Sequence, residues 1–192
     1  MAAEAATVAV VCDTTAYLPR SIVAAEGLHL VSLYVNWTDS SERESEMENF
    51  DAFYERLRSA KQLPTTSQPS IGDFLAVYEP LLQQGKEVVS IHISGGLSGT
   101  VESAQQAQEQ LAQRGLGERV TVIDSESGCG GLGLVAVAAA RAAKNGADRD
   151  QVVERATEAR RSLKMWFAVD TLEYLRRGGR IGAASAWLGT AL

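Results

Sequence analysis

The chain has 192 residues, of which 45% are hydrophobic and 22% charged, and its formal net charge is −6. The apolar fraction excludes a chain that is disordered over most of its length. No apolar run approaches the ~20 residues of a membrane-spanning helix, so we expect no stable membrane insertion. The acidic balance also argues against nucleic-acid binding, which requires a concentrated basic surface.

The cellular compartment is indicated by the N-terminus and the cysteines. Residues 1–6 lack the basic and long apolar stretches of a signal peptide. The two cysteines, Cys12 and Cys129, show no metal-ligand spacing and suit a reducing environment. We therefore expect a cytoplasmic protein that needs neither a disulfide nor a metal ion for stability.

Short β-branched apolar runs predict strands buried on both faces, as in a parallel sheet. They span residues 7–12, 28–35, 87–93 and 120–123, with a shorter run at 166–169. Helical periodicity between the runs predicts helices at 20–26, 50–60, 74–82, 100–113, 132–144 and 151–163. The polar, acidic segment 36–49 is interpreted as a long surface loop. Strands that alternate with helices indicate an α/β domain with a mainly parallel sheet.

Four segments rich in glycine and hydroxyl residues are the candidate binding loops. They span residues 13–15, 64–70, 94–100 and 124–131, and three of them directly follow predicted strands. Ligands of open α/β sheets bind outside the carboxyl ends of the strands. Hydroxyls and free backbone N–H groups at helix N-termini suit an anion. Any one loop could simply cap a helix, but four loops on one side of a sheet predict a ligand site.

One glycine motif offers an alternative ligand. Gly128, Gly130 and Gly133 match the spacing of the dinucleotide fingerprint. However, four residues separate the predicted strand from Gly128, where the fingerprint requires a tight turn. We interpret the motif as a glycine-rich turn with close helix packing. An enzyme or binding protein for a phosphorylated or dinucleotide ligand, using the same loops, stays open as the alternative.

The sequence offers little for catalysis. The two histidines, His29 and His92, fall inside predicted strands and are interpreted as core residues. Without a credible base, Ser94 and Ser98 are poorly placed to act as nucleophiles. Metal-ligand spacing is missing from the sequence as well. We therefore expect a protein that is not an enzyme and needs no cofactor.

Five motifs occur in order along nearly the whole chain. They are DTT at 13–15, TTSQPS at 65–70, ISGGLSGT at 93–100, DS at 124–125 and VDTLEYLRRGGRI at 169–181. Together they resemble the motifs of the DegV family of bacterial fatty acid-binding proteins, which have the EDD fold. One such motif would be unspecific, whereas five in the same order make the resemblance specific.

The resemblance implies a three-layer α/β/α domain with a mainly parallel sheet, followed by the start of a second α/β domain. Residues 1–164 would form the DegV-like domain that binds the lipid headgroup. Residues 165–192 would begin the second domain, most of which follows this motif in the longer family members.

The resemblance also implies a function. The protein would bind one long-chain fatty acid and present its carboxylate to a fatty acid kinase for phospholipid synthesis. By position, Thr66, Ser94 and Gly95 would bind the carboxylate. Further loop residues would support the site, namely Thr14, Ser67, Ser98 and Ser125.

Overall fold

The computed structural model describes residues 7–47, 49–166 and 168–182. Its strands are Val8–Asp13 (β1), His29–Val31 (β2), Tyr34–Asn36 (β3), Ser41–Arg43 (β4), Thr65–Ser67 (β5), Glu87–His92 (β6) and Val120–Asp124 (β7). Its α-helices are Arg20–Glu26 (α1), Phe50–Ser59 (α2), Ile71–Gln83 (α3), Thr100–Ala112 (α4), Cys129–Lys144 (α5), Arg149–Ser162 (α6) and Glu173–Arg177 (α7).

The main sheet is parallel and has the strand order β2-β1-β6-β7. The chain places β2 on one side of β1 and β6 on the other, so the strand order reverses between β1 and β6. The carboxyl ends of strands at such a reversal flank a crevice where ligands bind in open α/β sheets. The topology therefore directs attention to the segments that follow β1, β6 and β7.

Helices cover both faces of this sheet. Successive residues of β1 point to opposite faces, and Val10 belongs to one apolar cluster with Leu132 of α5 and Val152 of α6. Val11 belongs to a second cluster with Phe74 of α3 and other residues of α3 and α4. The predicted three-layer α/β/α arrangement with a parallel sheet is confirmed.

The predicted strand 28–35 is wrong as one element, because it divides into two strands of different sheets. After β2 the chain turns away at Leu33, whose N–H donates to the Thr14 hydroxyl at 3.2 Å. The next strand, β3, pairs with β4 and β5 in a small antiparallel sheet of order β4-β3-β5. The expected loop 36–49 therefore contains β4, whose residues are all exposed and show no apolar alternation that would reveal a strand.

The end of the chain also differs from expectation. Of the predicted strand 166–169, residues 166, 168 and 169 lie outside any strand, and Phe167 lies outside the described residues. The domain boundary between residues 164 and 165, and the start of a second domain beyond it, stay predictions. Within the part of the chain that the structure describes, no helix is long and apolar enough to cross a membrane.

The glycine motif at 128–133 lies in the first turns of α5, where the helix packs closely on its neighbours. A Cβ atom on Gly133 would lie 2.9 Å from Leu18 Cδ2 and 3.1 Å from the Ala16 carbonyl oxygen. Gly133 thus lets α5 approach the segment that follows β1, as the interpretation of close helix packing expected. At Gly130, by contrast, a Cβ atom would meet nothing within 4 Å.

We expect Gly133→Ala to lower the free energy of unfolding by about 1–3 kcal/mol, because the added methyl overpacks this contact. Urea denaturation at neutral pH measures the effect. Gly130→Ala on the same helix is the matched control and should leave stability unchanged or slightly raised, since alanine favours helix. Equal stabilities of the two variants would contradict the packing role of Gly133.

Candidate functional site

The four candidate loops converge at the carboxyl edge of the main sheet. The loop after β6 bonds to the loop after β7 twice: Ser94 N–H donates to the Ser127 carbonyl at 2.8 Å, and Gly95 N–H donates to Asp124 Oδ2 at 3.1 Å. The candidate loop 64–70 is wrong in part, because it contains strand β5, but its later half reaches this edge, where Gln68 lies against Gly99. The sequence placed these segments on one side of the sheet, and the structure brings them into contact.

Asp13, at the end of β1, fastens this edge together. Its side chain is fully buried and its Oδ2 accepts the Ile93 N–H at 2.9 Å. Oδ1 accepts the Thr15 backbone N–H at 3.1 Å and also the Thr15 hydroxyl, and the first of these bonds makes Asp13 the N-cap of a 3-10 turn at Thr14–Ala16. One carboxylate therefore joins β1, the loop that follows it, and the end of β6.

A chain of buried hydrogen bonds continues from Asp13 into the core. His92 Nδ1 lies 3.1 Å from Asp13 Oδ2, and His92 Nε2 lies 2.6 Å from Ser90 Oγ. The Tyr78 hydroxyl donates to Ser90 Oγ at 2.7 Å. Every group in this chain is satisfied when His92 carries its proton on Nδ1 and donates it to Asp13.

These residue types match a serine–histidine–aspartate triad, but their burial gives them a different role. Ser90, His92 and Asp13 all have no exposed surface, so no substrate contacts the Ser90 hydroxyl. The interpretation of His92 as a satisfied core residue is confirmed. The interpretation as a core residue is wrong for His29, which lies only half-buried on β2, and its pKa is lowered by burial and by the charge of Lys86.

The predicted carboxylate ligands differ in what their polar groups already bind. Ser94 is only 7% exposed, and its Oγ accepts the Gly96 N–H at 3.3 Å. The proton of the Ser94 hydroxyl has no acceptor among the described residues. Thr66 is exposed on β5, opposite Val35, and its hydroxyl likewise has no partner in the described part of the chain. Both hydroxyls are therefore available as donors.

The remaining predicted residues mostly hold the loops together. The Thr14 hydroxyl donates to the Glu44 carboxylate, and the Ser125 hydroxyl donates to the Ser127 carbonyl at 3.2 Å. Ser98 and Thr100 share a hydrogen bond of 2.8 Å between their hydroxyls, and Ser67 Oγ accepts from the Asn36 amide at 3.1 Å. The Gly95 N–H is occupied by Asp124.

An apolar pocket of about 460 Å³ is lined by Ile93, the residue that precedes Ser94 in the chain. Its wall comes from the loop after β6, the start of α5 and the segment after α6, namely Ile93, Leu97, Gly128–Gly131, Met165, Trp166, Val169 and Leu175. Its volume falls in the range of small-molecule sites. A hydroxyl donor beside an apolar pocket suits a ligand with a polar head and a hydrocarbon tail.

Sequence reasoning missed the second wall of this pocket. Met165 and Trp166 follow the highly charged helix α6, and Trp166 is 84% exposed. That change from charged to apolar residues was interpreted as a strand. The sequence carries no signal for this wall, because the exposure that marks such apolar residues as a binding surface is visible only in the structure.

Strained backbone and a thiol also lie at this edge. Tyr17, Glu126 and Cys129 adopt positive φ angles of 47°, 50° and 49° although none is glycine, and such residues concentrate at functional sites. Burial raises the pKa of the Cys129 thiol, and the charge of Glu44 raises it further, so the reactive thiolate is disfavoured. Among the described residues no group of three histidine, cysteine or acidic side chains could hold a metal ion.

Comparison with known proteins gives one consistent result. The profile of the family described as "Uncharacterised protein, DegV family" matches residues 7–192. Protein DegV of Bacillus subtilis is 37% identical over 188 residues, which cover 96% of this chain and 65% of that protein. The chain therefore spans about 65% of the length of this relative.

Solved structures agree in fold. A fatty acid-binding DegV family protein from Thermus thermophilus superposes with a TM-score of 0.84 at 38% identity, covering 97% of this chain and 65% of that one. DegV of Bacillus subtilis, described as a fatty acid binding protein, gives a TM-score of 0.84 at 35% identity, covering 96% and 64%.

Asp13 leads to a prediction about acid stability. Burial alone would raise the pKa of Asp13, but hydrogen bonds from His92, Thr15 and Ile93 outweigh it and hold the pKa below its ordinary value. A carboxyl whose pKa is lowered by folding stabilises the protein above its unfolded pKa of about 3.9. That contribution is lost as the pH falls from there through the folded value.

We expect Asp13→Asn to lower the free energy of unfolding at neutral pH by at least about 2 kcal/mol, because buried donors lose their acceptor. The difference between wild type and variant should shrink as the pH falls below about 4. Urea denaturation between neutral and acidic pH measures both. Asp150→Asn, at an exposed position, is the control. A difference in the free energy of unfolding between wild type and Asp13→Asn that does not change with pH would contradict the role of the Asp13 charge.

Proposed function

The chain belongs to the DegV family, and from this we propose that it binds one long-chain fatty acid. In this proposal the Thr66 and Ser94 hydroxyls donate hydrogen bonds to the carboxylate, and the acyl chain enters the apolar pocket between α5 and the segment after α6. Two relatives of known structure are described as binding fatty acids.

One observation carries the proposal. Ser94 is a buried residue whose hydroxyl proton is unused by the described residues, and its neighbour Ile93 lines the apolar pocket. An unused buried donor costs free energy unless a ligand accepts from it. A carboxylate next to the start of a hydrocarbon chain meets both the polar and the apolar requirement.

The two parts of the ligand contribute differently to affinity. Each hydrogen bond to a charged carboxylate is worth roughly 1.5–3 kcal/mol. Each buried methylene adds about 0.8 kcal/mol. The head therefore fixes the orientation of the ligand, while the length of the buried chain sets most of the affinity.

The Gly95 N–H can bind the carboxylate only if its present hydrogen bond breaks. Its N–H would be a third donor only after leaving Asp124, to which it donates at 3.1 Å. The supporting residues Thr14, Ser67, Ser98 and Ser125 contribute by holding the loops in place rather than by contacting the carboxylate.

The role proposed for the bound lipid is delivery. The protein would present the carboxylate to a fatty acid kinase in the cytoplasm, and the resulting acyl phosphate would enter phospholipid synthesis. This role is supported by the exposure of Thr66 and Gly95, which leaves the proposed carboxylate site open to a partner. It is also supported by the burial of Ser90 and His92, which keeps these two side chains out of contact with a bound ligand. In this proposal Met165, Trp166, Val169 and Leu175, which lie in the proposed start of a second domain, close one side of the pocket.

The alternative of a phosphorylated or dinucleotide ligand has less support. Gly133 of the glycine motif packs on Leu18 and Ala16, so this part of the motif faces protein. Thermal-shift measurements with nucleotides test the alternative, because a ligand at 100 times its Kd adds about 2.7 kcal/mol of stability.

Solvent extraction of the purified protein followed by mass spectrometry should yield one fatty acid per chain. Thr66→Val and Ser94→Ala should each weaken fatty acid binding by about 10- to 150-fold, as expected for one charge-assisted hydrogen bond. Thr65→Val is the matched control, because Thr65 is also exposed but points to the opposite face of β5. Unchanged binding in both site variants would refute the carboxylate assignment.

Gly130 allows a test of the acyl pocket. Gly130 lines the pocket, and a side chain there meets no neighbouring atom at its Cβ, so Gly130→Leu should fold normally. Its side chain would occupy the space of about two to four methylenes and weaken long-chain binding by about 15- to 200-fold. Isothermal titration with a long-chain acid measures this, and Gly130→Ala should have a much smaller effect. Wild-type affinity in Gly130→Leu would mean that the acyl chain lies elsewhere.

A further inference from the structure

Asp124 places a negative charge beside the proposed carboxylate site. It ends β7, is half-buried, and its Oδ2 lies 3.1 Å from the Gly95 nitrogen. Its Oδ1 accepts the Glu126 N–H at 2.8 Å, which holds the carboxylate in place. Because Gly95 follows Ser94 directly, an anion bound by the Ser94 hydroxyl has the Asp124 carboxylate as a near neighbour.

The basic groups nearby do not neutralise this carboxylate. Arg160 contacts the Asp124 backbone carbonyl at 3.0 Å, and its charge is paired with Glu126 at 3.3 Å. Arg180 contacts the Leu97 carbonyl at 3.3 Å, on the same loop as Ser94. In the described part of the chain, the Asp124 carboxylate itself forms no ion pair with a basic side chain.

We propose that Asp124 makes this site select singly charged carboxylates over doubly charged phosphates. The inference rests on the proposed fatty acid site. The repulsion between two charges is proportional to their product, and a phosphate monoester carries about −1.5 to −2 at neutral pH, compared with −1 for a carboxylate. At neutral pH the free energy of repulsion from Asp124 is therefore about 1.5 to 2 times larger for a phosphorylated head than for a carboxylate.

A preference for the fatty acid over its acyl phosphate would suit a protein that delivers fatty acids to a kinase. A fatty acid would bind despite one unit of repulsion, whereas its acyl phosphate would be held more weakly through the same hydrocarbon chain. Transfer of a phosphoryl group to the bound acid would then favour release of the product. Asp124 is in this sense a specificity-determining residue, acting through its charge and not through contact with the reacting atoms.

The test compares a fatty acid and an alkyl phosphate of matched chain length at about pH 8, where the phosphate is a dianion. Competition with a fluorescent fatty acid gives both dissociation constants for wild type, Asp124→Asn and Glu118→Gln. Glu118 is exposed and lies just before β7, at the opposite edge of the sheet, so its substitution removes the same charge far from the site.

We expect Asp124→Asn to tighten carboxylate binding by about fivefold and alkyl phosphate binding by about the square of that factor. Glu118→Gln should change neither. Equal changes for the two ligands, or none, in a variant that unfolds like wild type would overturn the role of Asp124 while the fatty acid site stands. A wild-type protein that binds no fatty acid would overturn both proposals.

Asparagine retains only one of the two oxygens with which Asp124 accepts hydrogen bonds, so Asp124→Asn could change the loop structure as well as the charge. A second measurement, on the wild-type protein, separates these two effects. Added salt screens the repulsion, so the preference of the wild-type protein for the carboxylate should shrink as ionic strength rises. A preference that is independent of salt would count against a charge effect.

Discussion

The buried carboxylate of Asp13 is the contact on which the carboxyl edge of the sheet depends. It joins the two strands between which the strand order reverses, and it does so through the Ile93 N–H and His92 of β6. A buried charge of this kind is tolerated only when it is fully hydrogen-bonded. On the side of the core, His92 donates the hydrogen bond to Asp13, and His92 is itself held by the bonds that run through Ser90 to Tyr78. The start of the loop that carries Ser94 is therefore held in place by its hydrogen bond to Asp13.

The hydroxyl residues at this edge of the sheet have two different roles. The Thr14 hydroxyl donates to Glu44 and the Ser125 hydroxyl donates to a neighbouring carbonyl, and these bonds keep their loops in one conformation. Ser94 and Thr66 keep their protons unused within the described residues. A binding site needs both kinds of residue, because donors are useful to a ligand only when the backbone that carries them is already ordered.

Much of this architecture could be predicted from local patterns, and the rest could not for a physical reason. Strands β1, β6 and β7 are revealed by their β-branched runs, because both faces are buried. Strands β3, β4 and β5 have three residues each and take their stability from pairing with one another, which leaves no periodic signal. The candidate loops are visible as glycine and hydroxyl clusters. Which of their hydroxyls are free depends on partners such as Glu44, which lies 30 residues from Thr14.

The two walls of the apolar pocket differ in how firmly they are built. Ile93 directly follows β6 and is held by its bond to Asp13, and the first turn of α5 belongs to a helix that covers the sheet, whereas Met165 and Trp166 lie in irregular chain and are exposed. Local opening of a segment with few buried contacts costs far less free energy than global unfolding. A ligand chain entering this pocket need displace only the outer wall. If a fatty acid occupies this pocket as proposed, its rate of exchange depends on the displacement of Met165 and Trp166 and not on the thermodynamic stability of the sheet.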